Sequence, residues 1–311
     1  MLLMLSCTKV SDPHIRVGMN IWPGYEPLIL AKDRGYIDRD AIRLVQYTSA
    51  TQELEGFRNG NLEVVAITLD EFLQLRHDIP DVCIIAVLDE SRGADVILGK
   101  PEISGLSRLT GKRIAFESTA LGAYMLSRAL ESAGMSPADI QPVRVELDRH
   151  EEAYIEDAAD AFVTYEPIAT RLRALGAVSL FDSTRIPGEI FDVLVARHAT
   201  IDEHGPTLTS LLGAWFRALD EIGRDPEESY RVLGAQMGLS NDEATAAYGK
   251  LVLASEAKND ELLRGTPAPI EVIAKRMMKT MVGHQLIAGP VSLEGMIDRR
   301  PLDSYLRTRE P

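Results

Sequence analysis

The stretch Trp22-Pro23-Gly24-Tyr25-Glu26-Pro27 decides how the fold of this chain is interpreted. It follows the apolar alternation of residues 14–20, which predicts a strand, and precedes the amphipathic run 28–35, which predicts a helix. The turn therefore places two aromatic rings and a carboxylate at the carboxyl end of a strand. Ligands of open α/β sheets bind at that end. Because no catalytic motif lies nearby, the stretch indicates capture of a small molecule rather than its conversion.

The composition is ordinary for a globular protein, but the charge is not balanced. The 311 residues are 45% hydrophobic and 26% charged, with a formal net charge of −14. This charge argues against nucleic-acid binding and against docking on anionic lipid, since both need clustered Lys and Arg. Cys7 and Cys83 are too few for a disulfide framework, and the apolar surroundings of Cys83 predict a small core residue.

The first residues, Met1-Leu2-Leu3-Met4-Leu5-Ser6-Cys7, resemble the end of a bacterial lipoprotein signal. We interpret residues 1–12 as a signal remnant and tether, with lipidation at Cys7 and a periplasmic or cell-surface location. The segment lacks a basic n-region and its apolar run is short, so an ordinary frayed N-terminus is the alternative. No other stretch has the length of a membrane-spanning helix, so a lipid at Cys7 is the expected membrane attachment.

Short apolar strands alternate with amphipathic helices through the first two thirds of the chain, which predicts an α/β fold with mainly parallel sheets flanked by helices. After Arg197 the pattern from 198 to 283 is helical and predicts a helical C-terminal part. The predicted strands are residues 15–19, 42–47, 64–68, 82–88, 96–98, 113–116, 142–146, 161–164, 178–181 and 191–196.

A faint internal echo suggests two similar α/β lobes. Residues 60–70 and 157–166 each form a strand that ends in Thr, one apolar residue and an acid at the start of a helix. Segments 89–95 and 187–193 are interpreted as crossovers between the lobes, which would form a hinge. The expected division is lobe one at 13–90 plus 195–311 and lobe two at 91–194.

Four collinear segments resemble type II periplasmic solute-binding proteins, in particular the group that serves nitrate, sulfonate, taurine and thiamine-precursor importers. The resemblance implies a two-lobed clamshell that holds a small solute in its cleft and delivers it to an ABC permease. The matching segments are residues 22–37, 57–63, 109–115 and 160–167.

The candidate ligand-binding residues lie near predicted strand ends or helix starts that would face the cleft. Trp22 could flank a planar or cationic group, or pack as a core lid. Ser118 and Thr119 begin a helix whose N-terminus suits an anionic group, and the resembled family uses this loop for ligand contact. Each hydroxyl or acid could instead be a helix cap. The full set is Trp22, Tyr25, Glu26, Thr48, Thr68, Asp70, Asp89, Ser118, Thr119, Tyr165, Glu166 and Asp192.

Acidic residues dominate these loops, and Arg92 is the only basic residue that the sequence places near them. Carboxylates that face each other in a dry cleft are costly unless a cation joins them. We therefore expect a solute with a protonated amine or a basic nitrogen heterocycle.

Two other functions stay open at this stage. A sensory protein that reports the same ligand to a receptor kinase or cyclase would need the same clamshell. An enzyme on this fold is the less favoured alternative, because GxSxG, Walker A and GxGxxG motifs are absent. The six histidines show no HxxxH or HExxH spacing, so neither a metal site nor a cofactor is expected. We expect a monomer.

Overall fold

The structure is a computed structural model, and it describes residues 14–309. The strands are β1 (Ile15–Asn20), β2 (Ile42–Tyr47), β3 (Val64–Thr68), β4 (Val82–Ser91), β5 (Asp95–Gly99), β6 (Arg113–Phe116), β7 (Gln141–Arg144), β8 (Ala161–Tyr165), β9 (Val178–Asp182), β10 (Phe191–Arg197) and β11 (Leu251–Leu253). The α-helices are α1 (Glu26–Asp33), α2 (Ala50–Arg58), α3 (Leu69–Asp78), α4 (Ala120–Ser132), α5 (His150–Ile155), α6 (Ile168–Ala174), α7 (His198–Arg224), α8 (Pro226–Met237), α9 (Asn241–Tyr248), α10 (Glu256–Leu263), α11 (Pro269–Gly283) and α12 (Arg300–Arg309).

Two sheets organise the described residues, and the predicted α/β class is confirmed. The six-stranded sheet has the order β11-β4-β10-β3-β1-β2, and the five-stranded sheet has the order β7-β6-β8-β5-β9. Helix-containing crossovers connect the parallel pairs β1–β2, β1–β3, β6–β7 and β6–β8, as parallel pairing requires. We call the six-stranded sheet with its helices lobe one and the five-stranded sheet with its helices lobe two.

Both sheets contain parallel strands, as expected, and are mixed, because each also contains antiparallel pairs. The chain leaves lobe one along β4 and returns along β10, so these adjacent strands run antiparallel, and β10 is also antiparallel to β3. In lobe two, β5 enters antiparallel to both β8 and β9. The reversed strands β5 and β10 each follow a crossing between the lobes, whereas the helix-linked strands β1 to β3 and β6 to β8 keep the expected parallel direction.

The expectation that strands end after Arg197 is wrong at one place. Strand β11 lies inside the predicted helical tail and extends lobe one by pairing antiparallel with residues 89–91 of β4. A strand of three residues flanked by helices is too short to show an alternating pattern.

The internal echo falls on equivalent strands of the two sheets. Strand β3 lies between parallel β1 and antiparallel β10, and β8 lies between parallel β6 and antiparallel β5. Their last residues therefore occupy corresponding positions at the sheet edges that face the cleft.

Two connections cross between the lobes, at residues 92–94 and 183–190. Ser183 joins them, because its hydroxyl lies 2.9 Å from Ser91 Oγ and accepts a hydrogen bond of 2.6 Å from the Gly93 amide. The Ser91 amide also donates to the Ile190 carbonyl at 3.0 Å. The second crossing begins earlier than the predicted segment 187–193, because β9 ends at Asp182, and it also ends earlier, because Phe191 already belongs to β10.

Cys83 is fully buried in the core of lobe one, which confirms its predicted place. Cys7 and the rest of the interpreted signal remnant lie outside the described residues. Among residues 14–309, none of the helices combines the length and the apolar character that crossing a bilayer would need.

Candidate functional site

A small cavity of about 20 Å³ lies between the two lobes. This volume corresponds to little more than one water molecule, so the lobes are closed against each other. The ring centroids of Trp22 in lobe one and Tyr165 in lobe two are 5.7 Å apart in an edge-to-face contact. The lining residues are Asn20, Trp22, Tyr25, Ala50, Thr68, Glu71, Asp95, Leu121, Tyr165 and Asp192.

The turn between β1 and α1 holds a pair of buried acids. Asp89 and Asp192 are cross-strand partners on β4 and β10. Trp22 Nε1 donates to Asp89 Oδ2 at 3.1 Å, and the Tyr25 hydroxyl donates to Asp192 Oδ1. Gly24 allows the turn to come this close, because a Cβ atom there would lie 1.8 Å from Asp89 Oδ2.

Burial raises the pKa of the acids around this cavity. The pKa of Asp89 and that of Asp95 rise to about 7, and the pKa of Glu117 rises to about 8, in each case chiefly because the carboxylate is removed from water. Burial raises the pKa of Asp192 well above its usual range, and the neighbouring Asp89 charge raises it further. The closed cleft therefore holds carboxyl groups that keep protons near neutral pH.

The same direction holds for three more acids, of which Glu71 lines the cavity and Glu53 and Asp70 are buried behind its wall. Burial raises the pKa of Glu53, Asp70 and Glu71, and Glu71 adds electrostatic repulsion at both neighbours. All three belong to lobe one, on α2 or α3. Asp95 Oδ2 has no hydrogen-bond partner among the described residues, so it offers an acceptor to a bound molecule.

Hydrogen bonds join the lobes across the cleft. Asn20 Nδ2 donates to the Tyr165 hydroxyl at 2.6 Å. The backbone amide and hydroxyl of Thr51 donate to Glu117 Oε1 at 2.9 and 3.2 Å. These pairs exist only while the lobes are together, so they stabilise the closed form.

Glu166 is buried away from the cavity and pairs with two cations. Its Oε1 accepts from Lys250 Nζ at 2.6 Å and from Arg173 Nη1 at 2.7 Å, while Thr170 donates to Oε2. These partners hold the pKa of Glu166 below its ordinary value despite its burial. Lys250 precedes β11 in lobe one, so this cluster also ties the lobes together. The expectation that Arg92 is the only basic residue near the loops is therefore wrong. Lys250 was missed because it is distant from these loops in sequence.

The predicted site residues divide into four groups by position. Trp22, Tyr25, Thr68, Tyr165 and Asp192 line the cavity. Asp70 and Asp89 are buried behind it, and Thr119 lines a smaller chamber that shares Asp95, Leu121 and Tyr165 with the first.

The other predicted residues point elsewhere. Thr48 and Ser118 are exposed, and each precedes the buried residue at the N-cap position of the following helix, Ser49 and Thr119 respectively. Glu26 is buried and accepts from Gln46 Nε2 at 3.1 Å, outside the cavity. Glu166 is paired with cations as described above.

Five lining residues escaped sequence reasoning: Asn20, Ala50, Glu71, Leu121 and Asp95. Asp95 lay in the predicted crossover and was interpreted as part of a hinge. Glu71 follows the proposed Asp70 directly, and the sequence does not show which of two consecutive acids on a helix points inwards. Asn20 is the last residue of β1 and lies next to the turn of residues 22–27. Its position at a strand end could have identified it as a site residue.

Comparison with known proteins agrees with this architecture. A model of the NMT1/THI5-like family matches residues 22–229. The chain belongs to the NMT1/THI5-like family. This result confirms the resemblance to type II periplasmic solute-binding proteins that the sequence motifs indicate.

Relatives of this NMT1/THI5-like protein include binding proteins. A protein of Escherichia coli strain K12 named "Putative aliphatic sulfonates-binding protein" is 23% identical over 245 residues, which cover 74% of this chain and 73% of that protein. The alkanesulfonate-binding protein SsuA from Xanthomonas axonopodis pv. citri, solved bound to MOPS, shares the fold with a TM-score of 0.78 and 17% identity, covering 92% of this chain and 98% of that one.

The fold is also used by an enzyme. The desulfurization enzyme DszB superposes with a TM-score of 0.69 and 14% identity, covering 96% of this chain and 99% of that one. The fold alone therefore does not distinguish a binding protein from an enzyme, and the distinction depends on the side chains of the cleft.

Proposed function

We propose that this chain is the solute-binding component of an ABC importer and that its solute carries a protonated amine or a basic nitrogen heterocycle. The observation that carries the proposal is the lining of the cavity. Glu71, Asp95 and Asp192 contribute carboxyl groups, and none of the lining residues in the described part of the chain is Lys or Arg.

The electrostatics of the cleft disfavour a simple oxyanion. A sulfonate or nitrate would face three acids there without a cationic partner, and burying an unpaired charge is costly. A cation has the opposite effect. It would pair with carboxylates whose ionisation is suppressed by burial, among them Asp95 and Asp192.

The aromatic side chains suit the same class of solute. Trp22, Tyr25 and Tyr165 all line the cavity. The faces of such rings attract cations and also pack against planar heterocycles. Trp22 is 4% exposed and hydrogen-bonded to Asp89, so it acts both as a core residue and as a wall of the site.

Closure is the mechanism that we propose for capture. The lobes, divided as the sequence suggests at 13–90 plus 195–311 and 91–194, would rotate about the two connections joined by Ser183. A solute that bridges Trp22 or Asp192 to Tyr165 or Asp95 gains contacts that the open form lacks, and so favours closure. Opening would then release the solute to a permease. The proposed location is the periplasm or cell surface, with the protein monomeric and anchored, if at all, through Cys7.

A thermal-shift screen tests this function. Protonated amines and nitrogen heterocycles should each be compared with an alkanesulfonate of matched size, and inorganic oxyanions should be included. A cation at a hundredfold excess over its dissociation constant stabilises by about 2.7 kcal/mol, which such a screen detects. Stabilisation by sulfonates or oxyanions alone would overturn the proposed solute class. Native mass spectrometry of the purified protein would identify a co-purifying solute independently.

A further inference from the structure

Three side chains from distant parts of the sequence meet at the end of lobe one that lies away from the cleft. Cys83 is the second residue of β4, His198 is the first residue of α7, and Asp298 follows α11. Their ligand atoms all lie within 4.8 Å of one another. The separation between Cys83 and the cleft residue Asp89 is six residues along β4, or about 20 Å of extended chain.

Backbone hydrogen bonds hold these three side chains close together. Ile297 forms a parallel bridge with Ile84, in which the Ile84 amide donates to the Met296 carbonyl at 2.8 Å and the Asp298 amide donates to the Ile84 carbonyl at 3.0 Å. The His198 amide donates to the Asp81 carbonyl at 3.1 Å, which places α7 beside the start of β4. The cluster therefore rests on the sheet and not on a free loop.

We propose that Cys83, His198 and Asp298 bind a divalent metal ion of the zinc class through one sulfur, one nitrogen and one oxygen. Thiolate, imidazole and carboxylate are the ligand types that Zn²⁺ takes in proteins. The Cys83 thiol would release its proton to solvent when the metal binds. This site goes beyond the proposed solute binding and lies apart from the cleft.

The distances around His198 fit a shared metal. Nδ1 lies 3.6 Å from Cys83 Sγ and 3.3 Å from Asp298 Oδ2. Metal bonds of about 2.3 Å to sulfur and about 2.0 to 2.2 Å to nitrogen and oxygen, at tetrahedral angles, separate the ligand atoms by similar amounts. A single ring nitrogen can make only one hydrogen bond in its plane, whereas a metal at this point would contact both neighbours and Nδ1 together.

The other ring nitrogen supplies an independent observation. His198 Nε2 lies 3.3 Å from the Gly295 carbonyl. Metal-binding histidines commonly donate their second N–H group to a backbone carbonyl or carboxylate, which leaves the first nitrogen free to bind the ion. A Cys-His-Asp nucleophilic triad would instead need the thiol and the carboxylate on opposite nitrogens. The arrangement around His198 thus fits ligation rather than proton relay.

Two features determine how tightly this site would hold a metal ion: its access to solvent and the competition of Arg300 for Asp298. Cys83 is buried, but the His198 side chain is 38% exposed, so an ion and a water ligand can approach from that side. Arg300 donates to both oxygens of Asp298 at 2.6 to 3.0 Å and competes for the carboxylate. Three protein ligands with this competition describe an exchangeable site that joins the chain near 298 to β4.

Cobalt titration of the full chain tests the proposal. After chelator treatment, Co²⁺ should give a thiolate-to-cobalt charge-transfer band that saturates at one equivalent and disappears when Zn²⁺ displaces the cobalt. Cys7→Ser is the matched control and should keep the band, because Cys7 is the only other cysteine of the sequence. Cys83→Ser should lose it. His198→Ala, at a position where the side chain is 38% exposed, should weaken Co²⁺ binding at least tenfold and abolish thermal stabilisation by Zn²⁺.

The opposite results would overturn the site. Lack of a charge-transfer band in the wild-type chain, or a band that survives in Cys83→Ser and is lost in Cys7→Ser, would exclude this metal centre. So would unchanged Co²⁺ affinity in His198→Ala. Cobalt bound by cleft carboxylates would produce no thiolate band, so the readout separates the two locations.

Discussion

Asp89 and Asp192 face each other across β4 and β10 as direct cross-strand partners, and each receives a hydrogen bond from the Trp22–Tyr25 turn. Like charges in that position destabilise a sheet. Burial is the main cause that raises the pKa of both carboxyl groups, and the Asp89 charge raises the pKa of Asp192 further. A hydrogen bond between the two groups works in the opposite direction at Asp89 and lowers its pKa. A buried pair of acids destabilises the folded chain. A bound cation would relieve this cost, so the pair suits a cation-binding site.

Stability should fall as pH rises from 6.5 to 8 in the absence of solute. The pKa values of Asp89 and Asp95, at about 7, and that of Glu117, at about 8, exceed the value near 4 expected in the unfolded chain. The folded form then binds more protons, so the free energy of unfolding decreases with pH until these groups ionise. His150, whose pKa is lowered to about 4, opposes the trend only below about pH 6.5.

Urea unfolding at several pH values measures this slope. A cationic solute should show the reverse dependence and bind more tightly as pH rises, because the carboxyl groups no longer need to lose protons first. A free energy of unfolding that increases between pH 6.5 and 8 would contradict the account of the cleft acids.

Asp192→Asn should separate stability from binding. The amide resembles the protonated acid and can still accept a hydrogen bond from Tyr25. Folding at pH 8 then no longer requires a proton to be taken up at position 192. We expect stability to rise by about 1 kcal/mol or more at that pH. Cation affinity should fall at least tenfold, because a charge is lost from the cavity wall.

The control for this variant is Asp40→Asn, at an exposed position in the same lobe. It should leave both the free energy of unfolding and the affinity within experimental error. Equal affinity in Asp192→Asn and the wild type would place the solute elsewhere.

Gly24→Ala should destabilise the protein, whereas Gly223→Ala should not. A Cβ atom at position 24 would lie 1.8 Å from Asp89 Oδ2 and 2.3 Å from Trp22 Nε1, and both groups are buried. Overpacking of this kind costs about 1–3 kcal/mol. At Gly223, on the exposed side of α7, a Cβ atom meets nothing within 4 Å, so alanine should gain up to about 1 kcal/mol of helix propensity. Thermal melts of the two variants provide the comparison, and equal melting temperatures would contradict the close packing of the turn.

Sequence periodicity predicted most strands to within one or two residues, because buried strands in an α/β fold are short, apolar and punctuated by helices. It could not predict strand direction, since β5 and β10 look like any other buried strand. Their antiparallel placement depends on where the chain crosses between lobes. Strand β11 was missed because its pairing with β4, and not its own pattern, makes it a strand.

The site was predictable at strand ends and unpredictable in its pairings. Trp22, Tyr25 and Asp192 were identified because position at a strand end implies position at the cleft. The cations that pair with Glu166 could not be inferred, since Lys250 is 84 residues away in the chain. The contact of Cys83 with His198 and Asp298 likewise depends on the β-bridge between Ile84 and Ile297, which are far apart in sequence. The spacing of the histidines alone therefore did not indicate it.

Lys250→Gln should shift the chain towards an open form. Glu166 would lose its partner from lobe one but keep Arg173 and Thr170 in lobe two, so the carboxylate stays satisfied in either lobe arrangement. A charged hydrogen bond is worth about 1.5–3 kcal/mol, enough to change the open-to-closed ratio roughly tenfold or more. Small-angle X-ray scattering without solute should therefore show a larger radius of gyration than in the wild type, and saturating solute should reverse the increase. Lys258→Gln is the matched control, because Lys258 is similarly exposed and its ion pair, with Glu261, lies within α10. A radius of gyration unchanged in Lys250→Gln, or changed equally in the control, would show that the Glu166 cluster does not hold the lobes together.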